Sequence, residues 1–198
     1  MNLPMPSLPP HPTPPAARGF TLIELMLTIA VLGVIATLAA PNLRTFLVRN
    51  KVSSLSNEFA AALLQARSLA VSRNTCVTLC VAESSNGATC AAPSAPANYN
   101  LNGWLMFENP VCNAAETVAT AANGLVLQQR TGSADSYSLK GTAGELNSVM
   151  FDPRGYANLA AAGTFEIVPG GSSDAAYKRR VCLDAAGRPT VRSASSSC

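Results

Sequence analysis

Hydrophobic and polar positions divide this chain into three regimes. From Phe20 to Ala40 the run FTLIELMLTIAVLGVIATLAA is apolar for 21 residues and carries one charge, Glu24. As a helix rising about 1.5 Å per residue it would be about 31 Å long, close to the ~30 Å hydrocarbon core of a bilayer. After Pro41 the pattern turns amphipathic. Leu55, Phe59, Leu63, Ala66 and Ala70 recur at spacings of four, four, three and four, and Val52, Ala62 and Leu69 widen the stripe. Lys51, Asn57, Glu58, Gln65 and Arg67 fall on the other side, as expected of a helix laid against a domain. Residues 20–73 therefore predict one long helix of about 80 Å, with a membrane span at 20–40 and an amphipathic half at 42–73. A domain of this size can touch only part of it, so the first half projects.

From Thr75 the code changes to short apolar or β-branched runs. Candidate strands are Thr75–Ala82, Leu101–Glu108, Gly124–Arg130, Leu146–Phe151, Thr164–Val168, Tyr177–Leu183 and Thr190–Arg192. Turn signals separate them, among them Asn86-Gly87, Asp152-Pro153-Arg154-Gly155 and Asp184-Ala185-Ala186-Gly187. That punctuation predicts antiparallel sheets in a β domain over 74–198. Pro153 suits position i+1 of a type I turn with Gly155 at i+3. Segments 83–98 and 109–123, rich in Ala, Ser and Asn, read as surface loops, each holding one cysteine as a tether. Trp104, alone of its kind in an apolar strand, reads as core.

The lone acid sharpens the reading of the apolar run. A carboxylate near the centre of a membrane helix costs on the order of 3 kcal/mol, so Glu24 calls for a partner and a role. Just before it stand Arg18 and Gly19, and the string from Gly19 to Leu25 is Gly-Phe-Thr-Leu-Ile-Glu-Leu. This string resembles the type IV prepilin signature. The resemblance implies cleavage after Gly19 by a prepilin peptidase and N-methylation of the new terminus, Phe20. It implies that Glu24 pairs with the N-terminal amine of a neighbouring subunit, and that the helix bends at Pro41. A secretory signal peptide would have a shorter apolar core and no acid within it. A plain anchor accounts for the length but not for Gly19, Phe20 and Glu24 together, and a buried soluble helix accounts for neither. Residues 1–19 then form a leader, in which seven prolines between Pro4 and Pro15 forbid helix.

Helix followed by sheet also resembles pilin architecture, and within it the minor pilins and pseudopilins of the FimT/GspH type. The residues that carry this likeness are Gly103-Trp104-Leu105-Met106-Phe107 and the closing Cys182, Gly187 and Arg188. The implied fold is α+β: the long N-terminal helix packed through its C-terminal half on an antiparallel domain of two sheets.

Six cysteines, Cys76, Cys80, Cys90, Cys112, Cys182 and Cys198, all follow the span and suit an oxidising compartment. This places the globular part in the periplasm or outside the cell, and the resemblance to prepilins implies a single-pass precursor in the inner membrane with a periplasmic domain. Charge adds little, because Arg18 precedes the span while Arg44, Arg49 and Lys51 follow it. On a strand, Cys76 and Cys80 lie about 13 Å apart, too far for one zinc with Zn–S bonds of about 2.3 Å. Disulfides are expected instead. Six cysteines allow about 15 full pairings, which sequence alone does not resolve. The order of preference is Cys182–Cys198, closing the C-terminal segment as in many pilins, then Cys80–Cys90 and Cys76–Cys112. The last two follow from folding 75–82 back against 101–108.

No enzyme signature is present. The sole histidine, His11, lies in the leader, so a mature chain lacks the base of Ser-His-Asp and Cys-His systems. There is no phosphate loop, and no cofactor or metal site is expected. The net charge is only +3, but Lys178, Arg179, Arg180, Arg188 and Arg192 set against Asp184 give the last 21 residues a balance of +4. Such a tail offers phosphate-binding chemistry. Some FimT-like minor pilins linked to DNA uptake carry Gly-Arg-x-Arg near the C-terminus. Here the matching residues are Gly187-Arg188-Pro189-Thr190, so the second arginine is displaced to Arg192. A solvated edge strand whose cations discourage edge-to-edge pairing accounts for the same residues. The expected role is a minor pilin priming or tipping a type IV pilus, with other pilins as partners through the N-terminal helix. The alternatives are an H-type pseudopilin of a type II secretion system and a DNA-binding minor pilin.

Overall fold

The computed structural model describes residues 19–85, 87, 89–92, 98–116, 125–142, 146–159, 161–170 and 177–198. Helix α1 runs Leu22–Arg73. The chain divides into two compact units, one up to Leu43 and one from Arg44 to Cys198. In the first unit the side chains from Phe20 to Leu38 are all exposed, as an apolar run awaiting a membrane or other helices must be. Among the described residues no single helix is long and apolar enough to cross a membrane. Leu22–Leu38 and Leu43–Arg73 pass that test together, by length and composition only. The bend expected at Pro41 falls among positions 39–42, outside the described side chains.

The end of α1 is built into the sequence. Asn74 takes a left-handed conformation (φ 51°). Thr75 N–H then donates to the Ala70 carbonyl (3.2 Å) and Asn74 N–H to the Val71 carbonyl (3.4 Å). This Schellman arrangement satisfies the last carbonyls of the helix and turns the chain into the first strand.

The second unit holds two four-stranded antiparallel sheets. Strands β1 (Cys76–Val81), β2 (Gly103–Asn109), β3 (Val126–Thr131) and β5 (Ser148–Phe151) form one sheet in the order β3-β2-β1-β5. Strands β4 (Tyr137–Gly141), β6 (Gly163–Pro169), β7 (Arg179–Leu183) and β8 (Pro189–Ser193) form the other in the order β4-β6-β7-β8. Both sheets share one core beneath α1. The predicted stripe is the buried face: Val52, Leu55, Phe59, Ala62, Leu63, Ala66 and Ala70 pack there, with Leu69 half-buried at its edge. From the first sheet come Val77, Leu79, Val81, Trp104, Met106, Val149 and Phe151, and from the second Leu139, Phe165, Ile167, Val181 and Leu183. Phe59 is the knot. Its ring meets those of Tyr99, Trp104 and Phe165 edge-on at centroid distances of 4.9, 5.5 and 4.9 Å.

β1 and β2 are buried on both faces because a second cluster, Cys80, Ala82, Cys90, Leu105 and Phe107, covers the side away from α1. The period of two explains the division: Val77, Leu79 and Val81 face the helix, while Cys76, Thr78 and Cys80 face away.

Three elements differ from the sequence reading. The strand expected from Leu101 begins at Gly103, because Leu101 and Asn102 close a short helix, α2 (Tyr99–Asn102). Asn98 caps it, its side-chain oxygen accepting from the N–H groups of Asn100 and Leu101. Strand β4 was not expected at all, since Tyr-Ser-Leu-Lys-Gly buries only Leu139 fully. The strand expected at Tyr177–Leu183 starts at Arg179. Of the predicted loops 83–98 and 109–123, residues 86, 88, 93–97 and 117–123 lie outside the described residues.

Candidate functional site

At the start of α1, Gly19 and Phe20 are exposed, with Phe20 at 89%. Thr21 is the N-cap. Glu24 N–H donates to the Thr21 hydroxyl (3.3 Å), and Thr21 N–H donates back to Glu24 Oε2 (3.4 Å). This reciprocal capping box satisfies two orphan helix donors with residues three apart. Sequence reasoning gave Glu24 an intermolecular role only; the Thr-x-x-Glu spacing that signals the cap was in the same string. Glu24 stays exposed, so one carboxylate both caps its own helix and faces outward.

The cysteines are joined as Cys76–Cys112, Cys80–Cys90 and Cys182–Cys198. None is left as a free thiol to ligate a metal. The first two staple the chain following β2 and the β1–α2 connection onto β1. The third pins the C-terminal end onto the outer face of β7.

Of the five basic residues near the C-terminus, the hairpin brings Arg180 and Arg192 together as cross-strand partners and leaves Arg188 apart in the turn. β7 and β8 place Arg180 opposite Arg192, in a cross-strand row that continues through Glu166 to Lys140. Arg180 pairs with Glu166 (3.5 Å). Arg180 also donates to the Ser196 carbonyl (3.4 Å), and Arg192 to that of Ser197 (2.9 Å). These two guanidiniums thus hold the chain end that Cys182–Cys198 tethers. Arg188 lies in the β7–β8 turn, its Nε on Asp184 (3.1 Å) and its N–H on the same carboxylate (2.8 Å). The Arg188 N–H bond, with smaller contributions from its guanidinium, outweighs slight desolvation and holds Asp184 below the ordinary carboxylate range. Lys178 and Arg179 stand at the opposite end of β7, four strand residues or about 13 Å away. Successive strand residues also point to opposite faces, which separates Arg179 from Arg180.

Gly187 has a structural role. Its φ is +74°, and a Cβ there would stand 2.3 Å from the Gly155 carbonyl oxygen. That oxygen also accepts from Arg67 Nε of α1 (3.0 Å). The Asp152–Gly155 turn closes with Gly155 N–H on the Asp152 carbonyl (2.8 Å). Two turns and the helix therefore lock at one point.

Sequence reasoning missed two polar clamps between α1 and the sheets. Lys51 pairs with Asp135 (3.1 Å), which also accepts from buried Asn100 and from Tyr137 N–H (3.3 Å). Burial alone would raise the Asp135 pKa, but bonds from Lys51, Asn100, Tyr137 and Ser133 together hold it below its usual value. Glu58 receives a two-point bond from Arg130 (2.7 and 3.3 Å), whose guanidinium lies 4.5 Å above the Trp104 ring. No local motif marks such pairs, whose members are 84 and 72 residues apart. Tyr99, fully buried, donates to the Leu146 carbonyl (2.8 Å), and burial pushes its phenol pKa up.

Comparison with known proteins agrees with this architecture. A family model described as "Type II transport protein GspH" matches residues 55–187, and one described as "Prokaryotic N-terminal methylation motif" matches residues 15–40. The "Type IV major pilin protein PilA" of Myxococcus xanthus is 45% identical over 47 residues, 24% of this chain and 21% of that protein. A "Probable minor fimbrial protein" of Dichelobacter nodosus is 32% identical over 109 residues, 55% of this chain and 60% of that protein. The chain thus spans about a fifth to a third of the length of the pilin and fimbrial proteins that match its N-terminal part. The crystal structure of the Pseudomonas aeruginosa type IV minor pilin FimU has the same fold, at a TM-score of 0.54 and 20% identity. The alignment covers 77% of this chain and 96% of that one. With the methylation motif in front of a GspH domain, and the helix-on-two-sheets fold to match, the chain belongs to the GspH family of pilin-like proteins.

Proposed function

We propose that this protein is a minor pilin of a type IV pilus. It is inserted in the inner membrane with its β domain in the periplasm, cleaved after Gly19 and methylated on Phe20. It is then assembled with other pilins as a priming or tip subunit. The role is structural rather than enzymatic: helices pack side by side, Glu24 neutralises a neighbour's amine, and the β domain faces outward. The observation that carries this reading is a methylation motif at 15–40 continuous with an exposed apolar helix, followed by a stapled pilin-type domain. Between machines, the likeness to a minor fimbrial protein over 109 residues favours a pilus. The second reading, a pseudopilin that drives protein export, is favoured by the description of the matching family. A DNA-binding role is weakened by the dispersal of Lys178, Arg179, Arg180, Arg188 and Arg192 over three places.

Deletion of the gene, scored for surface pili by electron microscopy and for proteins exported to the medium, separates the two machines. Loss of pili with normal export is expected. Normal pili with exoproteins trapped in the periplasm would assign the protein to secretion. Glu24→Ala should leave cleavage intact and impair incorporation into filaments; normal incorporation would contradict the pairing role.

A further inference from the structure

At the end of the folded unit where α1 enters it, a cleft of about 450 Å³ opens between the helix and the second sheet. Arg44, Thr45 and Val48 form its helix side, and Ser136, Tyr137 and Tyr177 line the side facing them. This volume lies in the range of small-molecule sites, about 300–1,000 Å³. Among the described residues, Arg44 has no ion pair or hydrogen bond, and the Tyr137 and Tyr177 hydroxyls have no partner. The surroundings are cationic: the Arg49 guanidinium lies 5.5 Å over the Tyr177 ring, and Lys178 and Arg179 follow directly in sequence. Among the described residues the nearby acid, Asp135, is already engaged by Lys51.

The position of the cleft along the chain identifies its occupant. Arg44 is four residues past Ala40, where the apolar run ends. Four helical residues rise about 6 Å, and the headgroup layer outside the hydrocarbon core is about 5–7 Å thick on each side. Phe46 and Leu47, next to Arg44, are 59% and 57% exposed. Exposed aromatic and aliphatic side chains beside an arginine suit the membrane–water boundary. We propose that this cleft binds the phosphate headgroup of an anionic phospholipid, with Arg44 as the charged contact and the Thr45, Ser136, Tyr137 and Tyr177 hydroxyls as donors to its oxygens. The lipid holds the β domain against the bilayer before assembly. The inference rests on the membrane-anchored reading above.

The test uses the full-length mature protein, purified from membranes in mild detergent and supplied with phosphatidylglycerol or phosphatidylcholine. Native mass spectrometry then counts retained lipid. The wild type should keep phosphatidylglycerol in preference to phosphatidylcholine. Arg44→Gln should lower that retention about fivefold, the worth of one cation near an anionic surface, while Arg44→Lys keeps most of it. Lys140→Gln, a cation lost elsewhere on the same sheet, should change nothing. Equal retention of the two lipids, or no effect of Arg44→Gln in a protein that melts normally, would overturn the proposal. So would displacement of the lipid by inorganic phosphate, which would mark a free-phosphate site. Absence of bound lipid with loss of filament incorporation in Arg44→Gln would hand the cleft to a neighbouring subunit's carboxylate. Extraction of the protein from membranes by alkaline carbonate, without detergent, would instead refute the anchor itself.

Discussion

Replacing Phe59 with alanine strikes the one side chain among the described residues that touches aromatic rings from α2 and both sheets. Phe59 is fully buried, with rings of Tyr99, Trp104 and Phe165 around it. Truncating a buried Phe costs about 3–5 kcal/mol through lost transfer energy and the cavity left behind. Measured losses of this kind already contain the edge-on aromatic terms of about 0.5–1.5 kcal/mol each, and Phe59 makes three such pairs, which places it towards the upper end of that range. Phe59, Tyr99, Trp104 and Phe165 are all buried and their rings are rigid, so little collapse into the space is expected. A loss of about 4–5 kcal/mol is therefore the working value, at the upper end of the range. For a unit of this size it corresponds to a melting point lower by about 8–20 °C. Urea unfolding of the mature protein in mild detergent, followed by fluorescence, measures it directly. Trp104 is the only tryptophan, so the signal comes from the core in question. Leu64→Ala is the control: Leu64 lies on the same helix but is 48% exposed, and its loss should shift stability by about 0.5 kcal/mol or less. If Phe59→Ala destabilises no more than Leu64→Ala, the ring cluster does not join the helix to the sheets and the reasoning fails.

Three further changes follow from the same structure. The Asp135 carboxyl is held below its unfolded pKa of about 3.9, so its stabilising effect is present above that value and is lost as pH falls through the lower folded value. Asp135→Asn should flatten the acid limb of a stability–pH curve below about pH 4, and an unchanged limb would show that the Lys51 clamp contributes nothing. Gly187→Ala places a methyl group against the Gly155 carbonyl in a left-handed conformation and should cost about 1–3 kcal/mol; a neutral result by thermal denaturation would contradict the locked turn. Cys198→Ser opens a loop of 16 residues, for which chain entropy gives about 3 kcal/mol. It should also release the chain end from Arg180 and Arg192, raising amide exchange at Ser196 and Ser197; protection equal to that of the wild type would mean the arginines hold the tail unaided.

The helix stripe was readable because its signal is local and repeated: Leu55 through Ala70 recur at helical spacing over four turns, and all five side chains are buried. β1 and β2 were equally plain as β-branched and apolar runs. β4 escaped because one fully buried residue, Leu139, gives no alternation to count. α2 escaped because its sequence is Tyr-Asn-Leu-Asn and its start depends on the cap from Asn98. The basic segment shows the opposite case, a cluster in sequence that the fold spreads over a turn, a strand start and an edge strand, in keeping with the solvated edge-strand reading. Five cations within fifteen residues looked like one patch, yet strand alternation and a hairpin send them to both ends and the outer face of β7. The clamps Lys51–Asp135 and Glu58–Arg130 were illegible for a simpler reason. Each joins residues that only the finished fold brings within 4 Å.

The cleft beside Arg44 was also out of reach, because its walls come from three distant stretches. What the sequence did carry was the methylation motif: Gly19, Phe20 and Glu24 lie within six consecutive residues of it, and the capping pair Thr21 and Glu24 lies inside the same string.

The most direct test of the account is mass spectrometry of filaments sheared from the cell surface. A minor pilin assembled through its N-terminal helix should be present there at low abundance beside a major pilin, with a first residue of N-methylated Phe20 and no trace of residues 1–19. Absence from the sheared filaments, with the protein confined to the cell envelope, would contradict the account.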